Sequence, residues 1–355
     1  MPMRDIKYHH PPEENTLIEA KNLVKKYGDT VALDGVSFAF EKGSVYGFLG
    51  PNGAGKSTTM NILTGCLAAT EGEVTVNGYD IYADAKMAKS FIGYLPEQPP
   101  LYADMTPVEY LLYVGRAKGL RGETLYREVD EVIRRTSLLK VRDRLIKNLS
   151  KGYTQRVGIA QAIVGDPEII ILDEPTVGLD PKQIIEIRNL IADLGREHTV
   201  ILSSHILSEI SEVCDYVVII SDGRIVASDT VENLRSVIDG TKIVNLDVKC
   251  KSSQAEAVLT QLVDIKHFEV HKKGAGVVSA KVEMSGTADV REQIFFAFAE
   301  AKYPIVSMSI EEASLESIFL RITSDSKEKK NKKYKISSVK TEGNNTDLGE
   351  SEGKE

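Results

Sequence analysis

The stretch that most limits how this chain can fold is "SVYGFLGPNGAGKSTTMNILTG", from Ser44 to Gly65. A short apolar run leads into Gly50, Pro51, Asn52, Gly53, Ala54, Gly55, Lys56, Ser57 and Thr58, which fit the spacing G-x-x-x-x-G-K-[ST]. The run predicts a strand, and the residues after Lys56 predict a helix. Glycines between them let the backbone curl until successive N–H groups face one anion. The helix adds its positive end to the same point. Lys56 is then placed for the outer phosphates of a nucleotide, and the Ser57 hydroxyl for Mg²⁺. A strand, loop and helix of this kind belong to a layered α/β domain.

Such a site also needs a carboxylate at the end of a neighbouring buried strand. "EIIILDEP" supplies one: its unbroken apolar run reads as a central parallel strand covered on both faces. Asp173 at its end is placed to hold Mg²⁺ through water. Glu174 follows, directed differently, and can orient an attacking water or take its proton, a role worth roughly 10²–10⁴-fold in rate. These pieces specify an NTPase. No N/T-K-x-D base-reading motif stands in a sensible place, which weighs against GTP.

Along the chain, residues 1–15 read as a flexible lead-in. Residues 16–240 alternate short β-rich runs with longer helical ones, and about 100–165 is helical enough to form a subdomain. "TVILSSH" and "YVVIISDGRIV" are further strands, the second a hairpin about Asp222-Gly223. Beyond Gly240 the pattern becomes strand, helix, strand, strand, helix, strand, then a short helix "SLESIFLRI". That order predicts a small ferredoxin-like α+β module over 241–323. Residues 324–355, Lys-rich and then acidic, cannot bury enough apolar area to order themselves. They are either a solvated tail or a contact for anionic lipid.

Composition excludes several classes. A formal charge of −8, from 44 Lys and Arg against 52 Asp and Glu, argues against a protein built to grip nucleic acid. Cys66, Cys214 and Cys250 are isolated and fit neither a disulfide framework nor a metal site. The His9-His10 pair lacks the Cys or carboxylate spacing of a metal site. The opening "MPMRDIKYHHPPEEN" has no signal-peptide core. The longest apolar runs are strand-length, against the about 20 residues of a membrane helix. Any action at a membrane is therefore expected through a partner.

One turn is left over. "LSKGYTQR", Leu149 to Arg156, places a second Ser/Gly turn before a helix, between the two nucleotide motifs, and "SSH" follows both. With these motifs jointly in order, the chain resembles the ATP-binding subunit of an ABC transporter, of the separate-ATPase ABC-2 exporter type. The resemblance covers about Leu17 to Leu234, and the C-terminal module more loosely. It implies that two subunits face head-to-tail, so that Ser150 and Gly152 of each cap the γ-phosphate of the other's ATP.

The sequence departs from the commonest LSGGQ form at Lys151 and Tyr153. Lys151 either adds charge near the shared phosphate or points to solvent, the second being favoured. Carried over one at a time, Tyr27 matches the aromatic that stacks on adenine, or is simply a surface tyrosine. Gln98, in the proline-rich "GYLPEQPPLY", matches the glutamine that reaches Mg²⁺ and the attacking water. Asp180 matches the loop that crosses the dimer interface, and His205 the histidine at the γ-phosphate.

What the resemblance implies is an ATP- and Mg²⁺-dependent ATPase working as a dimer, either of identical subunits or with a paralogue. It would sit on the cytoplasmic face of the membrane through a separate permease and drive export. The C-terminal module would pair with its twin or restrain the permease. A soluble ABC-type ATPase of ribosomes or DNA is the rival; such relatives carry two ATPase domains or a long coiled-coil insertion, and neither is present.

Overall fold

The computed structural model describes residues 15–234, 243–274, 276–284 and 290–311. The flexible lead-in with His9-His10, the short helix "SLESIFLRI" and the Lys-rich tail lie outside the described residues. Strands β1 (Thr16–Tyr27) and β2 (Thr30–Glu41) precede β3 (Val45–Leu49) and α1 (Lys56–Leu63). After β4 (Glu71–Val76), β5 (Tyr79–Asp80), α2 (Ala85–Ser90) and β6 (Ile92–Leu95) come three helices: α3 (Pro107–Ala117), α4 (Gly122–Arg135) and α5 (Lys151–Ile163). The chain returns through β7 (Ile169–Asp173), α6 (Pro181–Leu194), β8 (Thr199–Ser204), α7 (Leu207–Ser211), β9 (Tyr216–Ser221) and β10 (Arg224–Thr230).

The central sheet runs β10-β9-β3-β8-β7-β6, parallel except for the β9–β10 hairpin. That hairpin closes through Asp222 (φ 50°) and Gly223 (φ 74°), the two left-handed residues a tight two-residue turn demands. All five residues of β7 are buried, because both faces are covered. Ile170 and Leu172 pack into a core built with the helices, whereas Ile169 and Ile171 pack on the other side with Phe38, Phe40 and Phe48.

That other side is an antiparallel sheet, β2-β1-β4-β5, whose strands the sequence reading did not single out. The reason is local. Asn22 sits at φ 50° and the β1–β2 register shifts between Ala20 and Leu23, so a bulge interrupts the inside/outside alternation. The helical layer has clear punctuation: Thr106 caps α3 with a reciprocal Glu109 capping box and Pro107 at the first position.

The described C-terminal residues form β11 (Ile243–Lys249), α8 (Ser252–Leu259), β12 (Ile265–Gly274), β13 (Val277–Met284), α9 (Arg291–Glu300) and β14 (Ile305–Glu311). Sheet order β12-β13-β11-β14, wholly antiparallel, is the ferredoxin-like arrangement. It has its own core, centred on Val244, Leu246, Leu259, Val282, Ile294 and Phe298.

Candidate nucleotide site

Parallel pairing brings the carboxyl ends of four strands level, through the register pairs Leu49 with Ser204, Asp173 with Ser203, and Leu95 with Leu172. In open α/β sheets the crevice beyond such ends is where ligands bind. The phosphate loop turns there. A Cβ on Gly50 would fall 2.5 Å from the Ile220 carbonyl oxygen, and one on Gly55 (φ 110°) 2.9 Å from that of Ala32. Both positions exclude any larger residue.

Lys56 is 5% exposed, and its Nζ donates to the carbonyls of Gly50 (2.9 Å) and Pro51 (3.4 Å). The same ammonium lies 3.2 Å from Glu174 Oε1, while Glu174 Oε2 is 2.9 Å from His205 Nδ1. Glu174 thus joins the phosphate loop to the loop after β8. Its own backbone stands at φ 49°, a left-handed conformation that persists only where surroundings enforce it. Part of that enforcement is the Glu174 N–H donating to Ser203 Oγ at 2.9 Å. The turn sends the side chains of Asp173 and Glu174 to different neighbours.

Asp173 accepts from the Ser203 hydroxyl and, at 3.3 Å, from Ser57 Oγ. Burial, helped by the nearby Glu174 and Glu97 charges, pushes its carboxyl above the ordinary range against the pull of the two hydroxyls. A cleft of about 360 Å³ opens here, lined by Ala32, Asn52, Gly53, Gly55, Lys56, Ser57, Thr58, Glu97, Glu174, Val177 and His205. Residues as far apart in sequence as 32 and 205 therefore share one cavity.

Other residues singled out in the sequence do not line this cleft. Tyr27, at the end of β1, is half exposed with Lys25 Nζ 5.2 Å from its ring centre. Gln98 is exposed on the loop after β6, and its neighbour Glu97 faces the cleft instead. Ser150, Gly152 and Asp180 line a wider opening of about 800 Å³, with Arg134, Lys140, Tyr153 and Lys182. Ser150 is the N-cap of α5, yet its hydroxyl makes no cap hydrogen bond. Asp180 caps α6 by accepting from the Gln183 N–H at 2.9 Å.

Gly152 lies against that Gln183 side chain, since a Cβ there would meet its Cδ at 2.7 Å. Lys151 is exposed, but its ammonium rests over Gly178, where a Cβ would fall 1.9 Å from Nζ. Sequence reasoning missed Glu97 and Ser203. Only the pairing of Asp173 with Ser203 across β7 and β8 reveals the second, and no spacing rule carries it.

A phosphate loop at the end of a central parallel strand, with a buried acid pair on the next motif strand, defines a P-loop nucleotide-binding ATPase. Residues 33–177 match the family described as ABC transporter. The linearmycin resistance ATP-binding protein LnrL of Bacillus subtilis (strain 168) is 32% identical over 86% of this chain and 98% of its own length. The bacitracin transport ATP-binding protein BcrA of Bacillus licheniformis is 33% identical, over 87% and 97% respectively.

Among solved structures, an ATP-binding subunit of an ABC transporter is 31% identical with a TM-score of 0.57, covering 62% of this chain and 93% of that one. The dimeric post-hydrolysis state of the ATP-binding cassette MJ0796, bound to ADP and Pi, is 26% identical with a TM-score of 0.56, over 60% and 98%. The chain belongs to the family of ABC transporter ATP-binding proteins.

Proposed function

We propose that this chain is the ATPase of an ABC-2 type exporter: two copies close on two shared ATP molecules and so drive a separate membrane permease. The observation that carries the reading is the split between two surfaces. Lys56, Glu174 and His205 gather at one cleft, while Ser150 keeps its hydroxyl unspent at another. The named relatives LnrL and BcrA support an antibiotic or other drug-like cargo for that permease.

In this reading the loop amides from Asn52 to Thr58 and the α1 N-terminus bind the phosphates. Lys56 exchanges Glu174 for phosphate oxygens, because an ammonium between a carboxylate and a polyanion favours the greater charge. Glu174 Oε1 is thereby released to accept the proton of an attacking water, with Oε2 still held by His205. Ser57 and Asp173 fit Mg²⁺: both offer hard oxygens, and a buried carboxylate held above its normal range gains from a neighbouring cation. The ion, when bound, would neutralise charge on the β- and γ-phosphates, with Gln98 joining from its loop.

Tyr27 stacks on the adenine in this reading. Ser150, Lys151, Gly152 and Asp180 act on the nucleotide of the other copy. The Gln98 loop, beside the exposed rings of Tyr102 and Tyr113, passes closure to the permease from the cytoplasmic face. Residues 241–323 form an accessory unit that strengthens the dimer or restrains the permease; unchanged dimerisation and transport after truncation at Gly240 would remove that role.

The deciding experiment is purification of the chain carrying Glu174→Gln from detergent-solubilised membranes of its own cells, with ATP present. Recovery of a polytopic membrane protein is expected. Recovery with only ribosomes, DNA or soluble proteins would overturn the transporter reading.

A further inference from the structure

Glu209, on α7, is a carboxylate only 6% exposed, and none of the roles above uses it. Its Oε2 accepts hydrogen bonds from Thr176 Oγ1 at 2.5 Å and from Ser204 Oγ at 3.3 Å. A buried carboxylate requires donors, and these two come from significant places. Thr176 stands two residues after Glu174, and Ser204 directly precedes His205. Glu174 and His205 themselves meet at 2.9 Å. The result is a closed ring: Glu174 through Pro175 to Thr176, across to Glu209, across to Ser204, and through His205 back to Glu174.

Ser204 Oγ also accepts from the Ile206 N–H at 3.0 Å, so the same hydroxyl braces the far side of His205. Glu174 and His205 line the cleft, whereas the Thr176, Glu209 and Ser204 side of the ring does not. The ring holds the turn after β7 on the side that the Glu174 N–H bond to Ser203 leaves free. A left-handed glutamate needs restraint on both sides to present its carboxylate in one direction.

We propose that Glu209 is a positioning residue for ATP hydrolysis: by clamping Thr176 to Ser204 it fixes the Glu174–His205 pair against the phosphate loop. The proposal rests on Glu174 being the base. Nucleotide binding, which runs through Lys56 and the loop amides, does not depend on the ring. Its loss therefore separates turnover from affinity.

The test is steady-state ATPase kinetics and thermal melting of the full chain carrying Thr176→Val, Glu209→Ala, Glu209→Gln, the Thr176→Val/Glu209→Ala double change, and Glu174→Gln. Thr176→Val keeps shape and removes the hydroxyl. It and Glu209→Ala are expected to lower kcat roughly tenfold or more, with KM for ATP within about twofold. Glu209→Gln offers an amide oxygen that can accept both bonds, and should stay within about threefold of the parent. The double change should be no worse than Glu209→Ala alone, as for residues sharing one interaction.

Parent-like kcat in either Thr176→Val or Glu209→Ala, or a Glu209→Gln as slow as Glu209→Ala, overturns the ring. Should Glu209→Ala not fold, Thr176→Val decides by itself. Parent-like turnover in Glu174→Gln sinks the reading of the base, and the ring with it. Lost turnover there alongside parent-like Thr176→Val sinks the ring alone.

Discussion

The phosphate loop and the turn at Ser150 both open a helix with small residues, yet their surroundings differ. At the first, every polar group on the loop's acidic side has a partner: Lys56 with Glu174, Glu174 with His205, and Asp173 with Ser57 and Ser203. At the second, Ser150 caps α5 without using its hydroxyl, and the opening is about 800 Å³ rather than 360 Å³. A helix end concentrates positive potential that an anion relieves. One end meets its acids within the chain. In the proposed reading, the other end meets the phosphates held by a second copy.

The largest expected effect breaks the first region. Glu174→Gln should cut turnover by about 10²–10⁴-fold while ATP binding survives, measured by hydrolysis and equilibrium binding side by side. Dimers should accumulate with ATP on a sizing column. Retained turnover would remove Glu174 from the chemistry.

Next comes a test that separates the two regions. Ser150→Ala should slow hydrolysis about a hundredfold, as for loss of one preorganised donor to developing charge. Mixing it with Glu174→Gln should restore activity, because one of the two shared sites then receives an intact Glu174 from one copy and an intact Ser150 from the other. If the mixture stays as inactive as its components, Ser150 acts within its own chain and the comparison fails.

A smaller effect is expected at Tyr27. Its ring is half exposed and outside the cleft, so Tyr27→Ala should weaken ATP binding by about 1 kcal/mol, the low end for base stacking. A titration showing no change would leave Tyr27 as a surface residue.

The last prediction concerns stability alone. The Asp173 carboxyl is held above its unfolded value, so the native state binds the extra proton between the two values. Stability is thus fully present below the unfolded pKa and declines as pH rises through the native one. Asp173→Asn should flatten that decline, and without nucleotide it should melt higher than the parent at neutral pH. A lower melting point would mean that the hydroxyl bonds from Ser57 and Ser203 outweigh burial.

Much of the ATPase fold was legible because its signals are local. The phosphate loop needs glycines at fixed offsets, β7 needs an unbroken apolar run, and the Asp222-Gly223 hairpin needs two residues tolerant of positive φ. The antiparallel sheet was not legible. The bulge at Asn22 breaks the alternation that would announce β1, and one of its two partners, β4, arrives only at Glu71–Val76. Glu97 was hidden by its neighbour: Gln98 carried the motif, but the loop turned the glutamate toward the cleft.

By itself the sequence determined the chemistry on offer. It fixed a phosphate-binding loop, a carboxylate pair at a strand end, a second Ser/Gly turn, and a βαββαβ order beyond residue 240. Those follow from backbone permissiveness, burial pattern and spacing, which act over a few residues. Tertiary structure decided what touches what. Glu174 pairs with both Lys56 and His205 only because β3, β7 and β8 end at one level, and Glu209 reaches both Thr176 and Ser204 only because α7 packs beneath them. Hydrogen bonds and ion pairs act over about 3 Å, and no spacing along a chain specifies which distant residues will come within that reach.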